Sequence, residues 1–224
     1  MQSKKFLGFT VAEILIAVTI VGIISVMVVP TMYSNHQKKA FVLNLQKVYA
    51  EFSQVMTVFL VDQFAKDLSR TYFTVKNSSP TETDIKNSAG KFLKENFTVM
   101  EDCGTTMTPC FASLYTAISG NDEGIPCNNG YSVTLKRGTA ICIEPPIIDS
   151  GNFISANVYI DVNGPEDPNV GGRDVFNFNI YKDGSINFKY NPSSSDTYKN
   201  SCITSAYGGA CLEKIMSDKW KMDY

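Results

Sequence analysis

The chain has 224 residues and a formal net charge of −2, with 44% hydrophobic and 19% charged residues. This length suits one ordinary domain with an added anchor. A mildly acidic chain without a basic block is a poor electrostatic partner for nucleic acid, so no nucleic acid is expected to bind. The sequence holds no G-x-S-x-G, H-E-x-x-H or P-loop motif, and its one histidine, His36, stands apart from any candidate nucleophile. We therefore predict that the protein is not an enzyme.

An apolar run near the N-terminus is the most informative segment. Residues 9–29 contain a single charge, Glu13, and Lys4 and Lys5 precede the run. As a helix, the run spans about 32 Å, which matches the hydrocarbon thickness of a bilayer. The two lysines favour an N-terminus left in the cytoplasm and a C-terminal body outside it. A cleaved secretory signal is the rival interpretation, but no A-x-A site follows the run.

The carboxylate of Glu13 needs an explanation, because a buried, unpaired charge is costly in a membrane helix. No basic residue lies one helical turn away. A partner from another molecule is therefore expected, and a free α-amino group is cationic near neutral pH. If the chain were cut after Gly8, a staggered neighbouring copy would present its Phe9 amine to Glu13. The carboxylate would then set the register between packed helices.

The pattern K-K-x-x-G-F-T-x-x-E, with a proline near the end of the apolar run, resembles the N-terminal signature of type IV prepilins and type II secretion pseudopilins. The resemblance implies that a prepilin peptidase cuts between Gly8 and Phe9 and that the new Phe9 amine is N-methylated. It also implies that Glu13 recruits and aligns subunits in a helical filament. Pro30, which has no N–H, is expected to bend or loosen the helix.

The same resemblance implies a structural subunit of a type IV pilus or a type II secretion pseudopilus. Its partners are other copies, the prepilin peptidase and N-methyltransferase, the inner-membrane assembly machinery and membrane lipid. The subunit would span the cytoplasmic (inner) membrane once, with its head outside the cytoplasm, before it joins the filament. The alternatives are a minor tip pilin or adhesin that binds a surface or cargo, and a monomeric membrane-anchored binding domain. The expected segments are a leader (1–8), a transmembrane and filament-core helix (9–31), its amphipathic continuation (32–70) and a globular head (71–224).

After the apolar run, the sequence predicts helices followed by strands. Apolar residues between Phe41 and Leu60 recur at spacings of three and four, so the helix is predicted to continue to about Leu68. A short helix over 84–97, capped by Thr83 or Asp84, and a loop over 101–114 follow.

The second half of the chain predicts an antiparallel sheet. Strand patterns cover 131–145 and 153–164, and residues 174–190 form the clearest hairpin, with its turn at 182–184. A short helix closes the chain. Four to five antiparallel strands against the long helix give an α+β fold, in agreement with the pilin fold that the N-terminus implies.

The six cysteines all lie in the second half of the chain and contain no C-x-x-C pair. They are Cys103, Cys110, Cys127, Cys142, Cys202 and Cys211. An even number at wide, irregular spacings favours disulfides in an oxidising compartment over a zinc site, with buried free thiols as the alternative. Closing the short Cys103–Cys110 loop is geometrically easy, but other pairings fit as well, and six cysteines allow fifteen connectivities.

One loop, residues 160–176, has the composition of a calcium site. Asp161, Asn163, Asp167 and Asp174 supply the hard oxygen atoms that Ca²⁺ takes. The spacing differs from an EF-hand and resembles the glycine- and aspartate-rich loop near the end of major pseudopilins, some of which bind calcium there. The alternative is a polar turn cluster held by Asx hydrogen bonds.

Overall fold

The computed structural model describes residues 8–77, 79–127, 129–149, 152–187, 202 and 209–224. The predicted role of Lys4 and Lys5 therefore lies outside the described residues. The chain forms two compact units whose boundary falls between Ala40 and Phe41. That boundary lies inside the segment predicted as the amphipathic continuation of the helix.

The long helix α1 runs over Val11–Asp62, with Pro30 inside it. The prediction that it continues to about Leu68 is wrong. Phe64 takes a left-handed backbone conformation, with φ at 48°, and this ends the helix. Leu68–Arg70 forms a separate 3₁₀ turn, capped by the Asp67 side chain.

The predicted second helix exists, but its cap differs from the prediction. It consists of α2 (Glu82–Ile85), a π-helical turn (Lys86–Gly90) and α3 (Lys91–Asn96). Thr81, rather than Thr83 or Asp84, is the N-cap, and Asp84 completes a reciprocal capping box. The predicted C-terminal helix is confirmed as α4 (Gly209–Ser217).

The described strands form one mixed sheet. They are β1 (Val99–Gly104), β2 (Thr116–Ala117), β3 (Tyr131–Leu135), β4 (Ala140–Ile143), β5 (Ile147–Asp149), β6 (Asn152–Asp161), β7 (Val170–Gly171), β8 (Val175–Tyr181) and β9 (Ile186–Asn187). The order across the sheet is β1-β3-β4-β6-β8-β7-β2, with β5 paired to β6 and β9 paired to β8.

The strand predictions are confirmed in part. The β3–β4 pair and the β8–β9 hairpin are antiparallel, as expected, and Tyr181 N–H donates to Ser185 O across the hairpin turn. The expectation of a purely antiparallel sheet is wrong, because β7 runs parallel to both β2 and β8. The start of the predicted 101–114 loop is also wrong, because it belongs to β1.

The core of the head lies where the second half of α1 packs on the sheet. Phe52 is fully buried, and its ring centroid lies 5.2 Å from that of Phe178 on β8. The rings of Phe92 and Phe97 also surround Phe52, at 5.9 and 5.3 Å. A second cluster, which includes Tyr115, lies next to the loop predicted as a calcium site.

Candidate functional site

The predicted processing site lies at the start of the described chain. Gly8, Phe9 and Thr10 precede α1, have no regular secondary structure and are exposed. The Phe9 side chain is 83% exposed. The Gly8–Phe9 peptide bond is therefore accessible and free of helical hydrogen bonding, as a peptidase requires.

Thr10 and Glu13 form a reciprocal capping box at the start of α1. The Thr10 N–H and hydroxyl both donate to Glu13 Oε2, at 2.8 and 2.9 Å, and the Glu13 N–H donates to Thr10 Oγ1 at 3.3 Å. The carboxylate thus satisfies donors that the first helical turn leaves unpaired. It also lies at the positive end of the helix dipole.

This capping box changes the interpretation of Glu13. The sequence argument sought a partner only in another molecule, yet the chain itself supplies two donors to the carboxylate. Sequence reasoning missed the arrangement, although the pattern T-V-A-E over residues 10–13 is the usual signal of a capping box.

The first unit exposes its apolar residues. Among the described residues, α1 is the one helix long and apolar enough to cross a membrane, and its most apolar window has no burial inside the protein. The hydroxyls within this stretch are paired inside the helix: Thr19, Ser25 and Thr31 donate to the carbonyls four residues earlier, at 2.8, 2.7 and 3.3 Å. These polar side chains therefore present no unpaired donor to an apolar surrounding.

The loop over 160–176 brings two buried carboxylates together. Asp161 and Asp174 are both fully buried. Asp161 accepts a hydrogen bond from the Tyr115 hydroxyl at 2.7 Å, and Asp174 accepts from the backbone N–H groups of Asn169 and Val170, each at 2.7 Å. Among the described residues, neither carboxylate has a cationic partner.

Burial sets the ionisation of these two carboxyls. It raises the pKa of Asp174 to about 6, against the lowering effect of its backbone hydrogen bonds. It also raises the pKa of Asp161 well above its usual range, and the nearby charge of Asp174 adds to this effect. Buried carboxyls of this kind favour the protonated form unless a cation compensates their charge.

Two asparagines complete the loop. Asn163 Nδ2 donates to the carbonyls of Glu166 and Asp167, at 2.6 and 3.1 Å, and Asn169 Nδ2 donates to Asp167 Oδ1 at 3.3 Å. The Oδ1 atoms of Asn163 and Asn169 are buried without a hydrogen-bond partner. A buried acceptor without a partner destabilises the folded state unless a hydrogen-bond donor or a cation reaches it.

These observations bear on the predicted calcium ligands. The structure brings Asp161 and Asp174 together, and the main chain of Asp167 contacts Asn163. Asp167 is exposed, and Asn169 and Tyr115 are contributors that sequence reasoning missed. Within the described ranges, no group of three or more His, Cys, Asp or Glu side chains is placed to hold a metal. A cation here would depend on amide oxygens as well as carboxylates.

All six cysteines are paired. The disulfides join Cys103 to Cys110, Cys127 to Cys142 and Cys202 to Cys211. The expectation of disulfides is confirmed, and the described residues include no free cysteine. Each bond links residues close in sequence, so each fastens a local loop of the head.

Comparison of the chain with protein-family models, curated proteins and solved structures yields no significant match.

Proposed function

We propose that this chain is a structural subunit of a filament of the type IV pilin and type II secretion pseudopilin class. The observation that carries the proposal is an exposed apolar helix that begins with a carboxylate at its N-terminal turn, directly after an accessible Gly8–Phe9 bond. An α+β head with disulfides on the same chain supports it. The subunit would span the inner membrane once before assembly.

In this proposal, filament assembly replaces lipid with protein around the apolar helix. Both intrachain hydrogen bonds to Glu13 end on Oε2. Within the described residues, Oε1 takes no hydrogen bond, so it can accept one from the Phe9 ammonium group of a neighbour. The capping box and the contact between subunits can therefore exist together. Thr10 keeps the carboxylate oriented, and Glu13 supplies the charge.

The experiment that tests this proposal compares Glu13→Ala and Glu13→Gln with the wild-type chain. The N-terminus of the membrane-derived protein is sequenced, and sheared filaments are quantified. We expect a mature chain that starts at methylated Phe9 and is recovered in filaments, and a loss of filaments in both variants. Wild-type recovery of filaments from Glu13→Ala would rule out the assigned role of the carboxylate. An intact N-terminus in membranes without filaments would favour the monomeric anchored domain.

We also propose that the 160–176 loop holds a Ca²⁺ ion that stabilises the head. The buried, unpartnered Oδ1 atoms of Asn163 and Asn169 support this function, together with the carboxylates of Asp161 and Asp174 that no cation balances among the described residues. Hard oxygen atoms of this kind are the ligands that Ca²⁺ prefers. Asp167 would complete the set from the exposed side of the loop.

A further inference from the structure

The connection between β7 and β8 carries two residues of the proposed Ca²⁺ loop. Asn169 directly precedes β7, and Asp174 directly precedes β8. The Asp174 carboxylate accepts from the Asn169 N–H at 2.7 Å, which ties the two residues together. Within the connection, the Gly172 N–H donates to Val175 O at 2.8 Å. The Asp174 N–H donates to Val170 O at 3.3 Å. Gly172 therefore lies inside the hydrogen-bonded turn that sets the positions of Asn169 and Asp174.

Gly172 also contacts two parts of the head outside the loop. Its carbonyl oxygen accepts a hydrogen bond from the Tyr224 hydroxyl at 2.7 Å. A Cβ atom at Gly172 would clash with the Sγ atom of Cys211, and the φ of Gly172, 89°, lies in the left-handed region. Both observations favour glycine at this position. Cys211 is fully buried on α4 and is joined to Cys202, so the turn packs against a fixed part of the core.

The segment after α4, residues 218–224, has its own attachments to the core. The Trp220 N–H donates to Ile215 O at 2.7 Å, and the Trp220 ring packs 5.9 Å from the Tyr49 ring of α1. The side chain of Met222 is buried in the main core of the head. The Tyr224 hydroxyl is therefore presented to Gly172 by a segment that the core already holds.

The Tyr224 phenol is suited to donate this hydrogen bond. Burial raises the pKa of the phenol, whereas the charge of Arg173 lowers it to a smaller extent. The phenol therefore keeps its proton at neutral pH, and the carbonyl of Gly172 can only accept. The bond joins residues 52 positions apart in sequence. Without it, the turn would keep its local hydrogen bonds but lose this link to the core.

We propose that Tyr224 is a positioning residue of the Ca²⁺ site. Its hydroxyl holds the turn at Gly172, and the turn in its place keeps Asn169 and Asp174 where a cation can use their oxygen atoms. The inference rests on the proposed Ca²⁺ function and adds a coupling between the loop and residues 218–224. Such a coupling is reciprocal, so Ca²⁺ stabilises the docked segment by the same factor by which the docked segment favours Ca²⁺.

Calorimetric titration of Ca²⁺ into the full, chelator-treated chain in detergent micelles tests the coupling. Tyr224→Phe keeps the ring and removes the hydroxyl. We expect it to raise the Kd about two- to fivefold, up to the equilibrium factor of one hydrogen bond. Tyr72→Phe is the matched control, because the Tyr72 hydroxyl donates to Glu95 Oε2, also at 2.7 Å, and its ring packs against Phe59. This control should keep the wild-type Kd.

Amide hydrogen exchange provides the reciprocal measurement. Ca²⁺ should slow exchange over residues 219–224 in the wild-type chain and should slow it less in Tyr224→Phe. Exchange in α3 serves as the internal reference. A purely structural hydroxyl would give a different result: Tyr224→Phe would melt at a lower temperature without Ca²⁺, but its Kd and its response to Ca²⁺ would equal those of the wild-type chain.

The outcomes separate the coupling from the function on which it rests. A wild-type chain that gives no Ca²⁺ heat overturns the cation site and the coupling together. A wild-type chain that binds Ca²⁺, with an unchanged Kd in Tyr224→Phe or no effect of Ca²⁺ on residues 219–224, overturns the coupling and leaves the site. An equal rise of the Kd in Tyr72→Phe also overturns it, because the effect would then be general destabilisation.

Discussion

The Thr10 hydroxyl and the Glu13 carboxylate hydrogen-bond at 2.9 Å, and each also pairs with the other residue's backbone N–H. This exchange gives the only charged residue of the apolar run a partner inside its own chain. A carboxylate at the first turn of a helix is stabilised by the dipole as well as by its hydrogen bonds. The charge is therefore accommodated before any other molecule arrives.

Removal of the Thr10 hydroxyl should loosen the start of α1. Thr10→Val keeps the shape of the side chain and the backbone N–H bond to Glu13 but loses both hydrogen bonds of the hydroxyl, at a cost of about 1 kcal/mol for the cap. Amide hydrogen exchange over residues 11–14 in detergent micelles should accelerate about fivefold as a result. Thr10→Ser keeps the hydroxyl and serves as the matched control. Equal exchange in the two variants would contradict the capping role.

Calcium should stabilise the head. For a site occupied at a hundredfold excess over its Kd, the gain is about 2.7 kcal/mol, which raises the melting temperature by about 5 °C or more. Thermal unfolding of the chelator-treated full chain, with and without added Ca²⁺, measures this shift. Asn163→Ala removes one unpartnered oxygen and should reduce the shift, whereas Asn77→Ala, in a loop outside the site, should preserve it. A wild-type chain that melts at one temperature in both conditions would disprove the cation site.

Gly130 should be essential for closure of the Cys127–Cys142 disulfide. A Cβ atom at this position would clash with the Sγ atoms of both Cys127 and Cys142. We expect Gly130→Ala to leave a large fraction of these two thiols free, as counted by alkylation and mass spectrometry. Gly22→Ala is the control, because its Cβ atom meets open space and its backbone is not in the left-handed region. Complete oxidation of the Gly130→Ala chain would refute the prediction.

Phe52 should be among the most sensitive core positions. It is fully buried against the rings of Phe92, Phe97 and Phe178, so Phe52→Ala leaves a large cavity and should cost about 3–5 kcal/mol. Urea unfolding of the full chain measures this loss. Leu43→Ala, at a position that is 56% exposed on the same helix, should change stability by about 0.5 kcal/mol or less. Similar costs for the two variants would place the core elsewhere.

The sequence predicted the elements with strong periodicity and missed those that depend on distant contacts. The long helix and the β8–β9 hairpin follow from apolar spacing and turn residues, and both exist. Strand β1 was missed because its central residues, Met100 to Asp102, are exposed and two of them are acidic, so no alternation marks it. The parallel β2–β7 pair consists of two-residue strands, which carry no pattern of their own.

The candidate site residues also differ in whether a local sequence pattern identifies them or only the folded structure does. Glu13 stands out as the one charge of the apolar run, whereas Gly8 and Phe9 were singled out by the resemblance to the prepilin signature. Asn169 and Tyr115 carry no such signal. Tyr115 reaches Asp161 across 46 positions of sequence, and only folding brings them together. The end of α1 was misplaced because Phe64 stands where a glycine would have marked the stop.

The hydroxyls of Thr19, Ser25 and Thr31 each donate to a backbone carbonyl in the preceding turn of the same helix. A helix of this kind can move from one apolar environment to another without breaking these hydrogen bonds. It needs no specific lipid headgroup and no particular neighbour to satisfy these groups. The passage of such a helix between a bilayer and a protein bundle would therefore be governed by shape and by its one carboxylate.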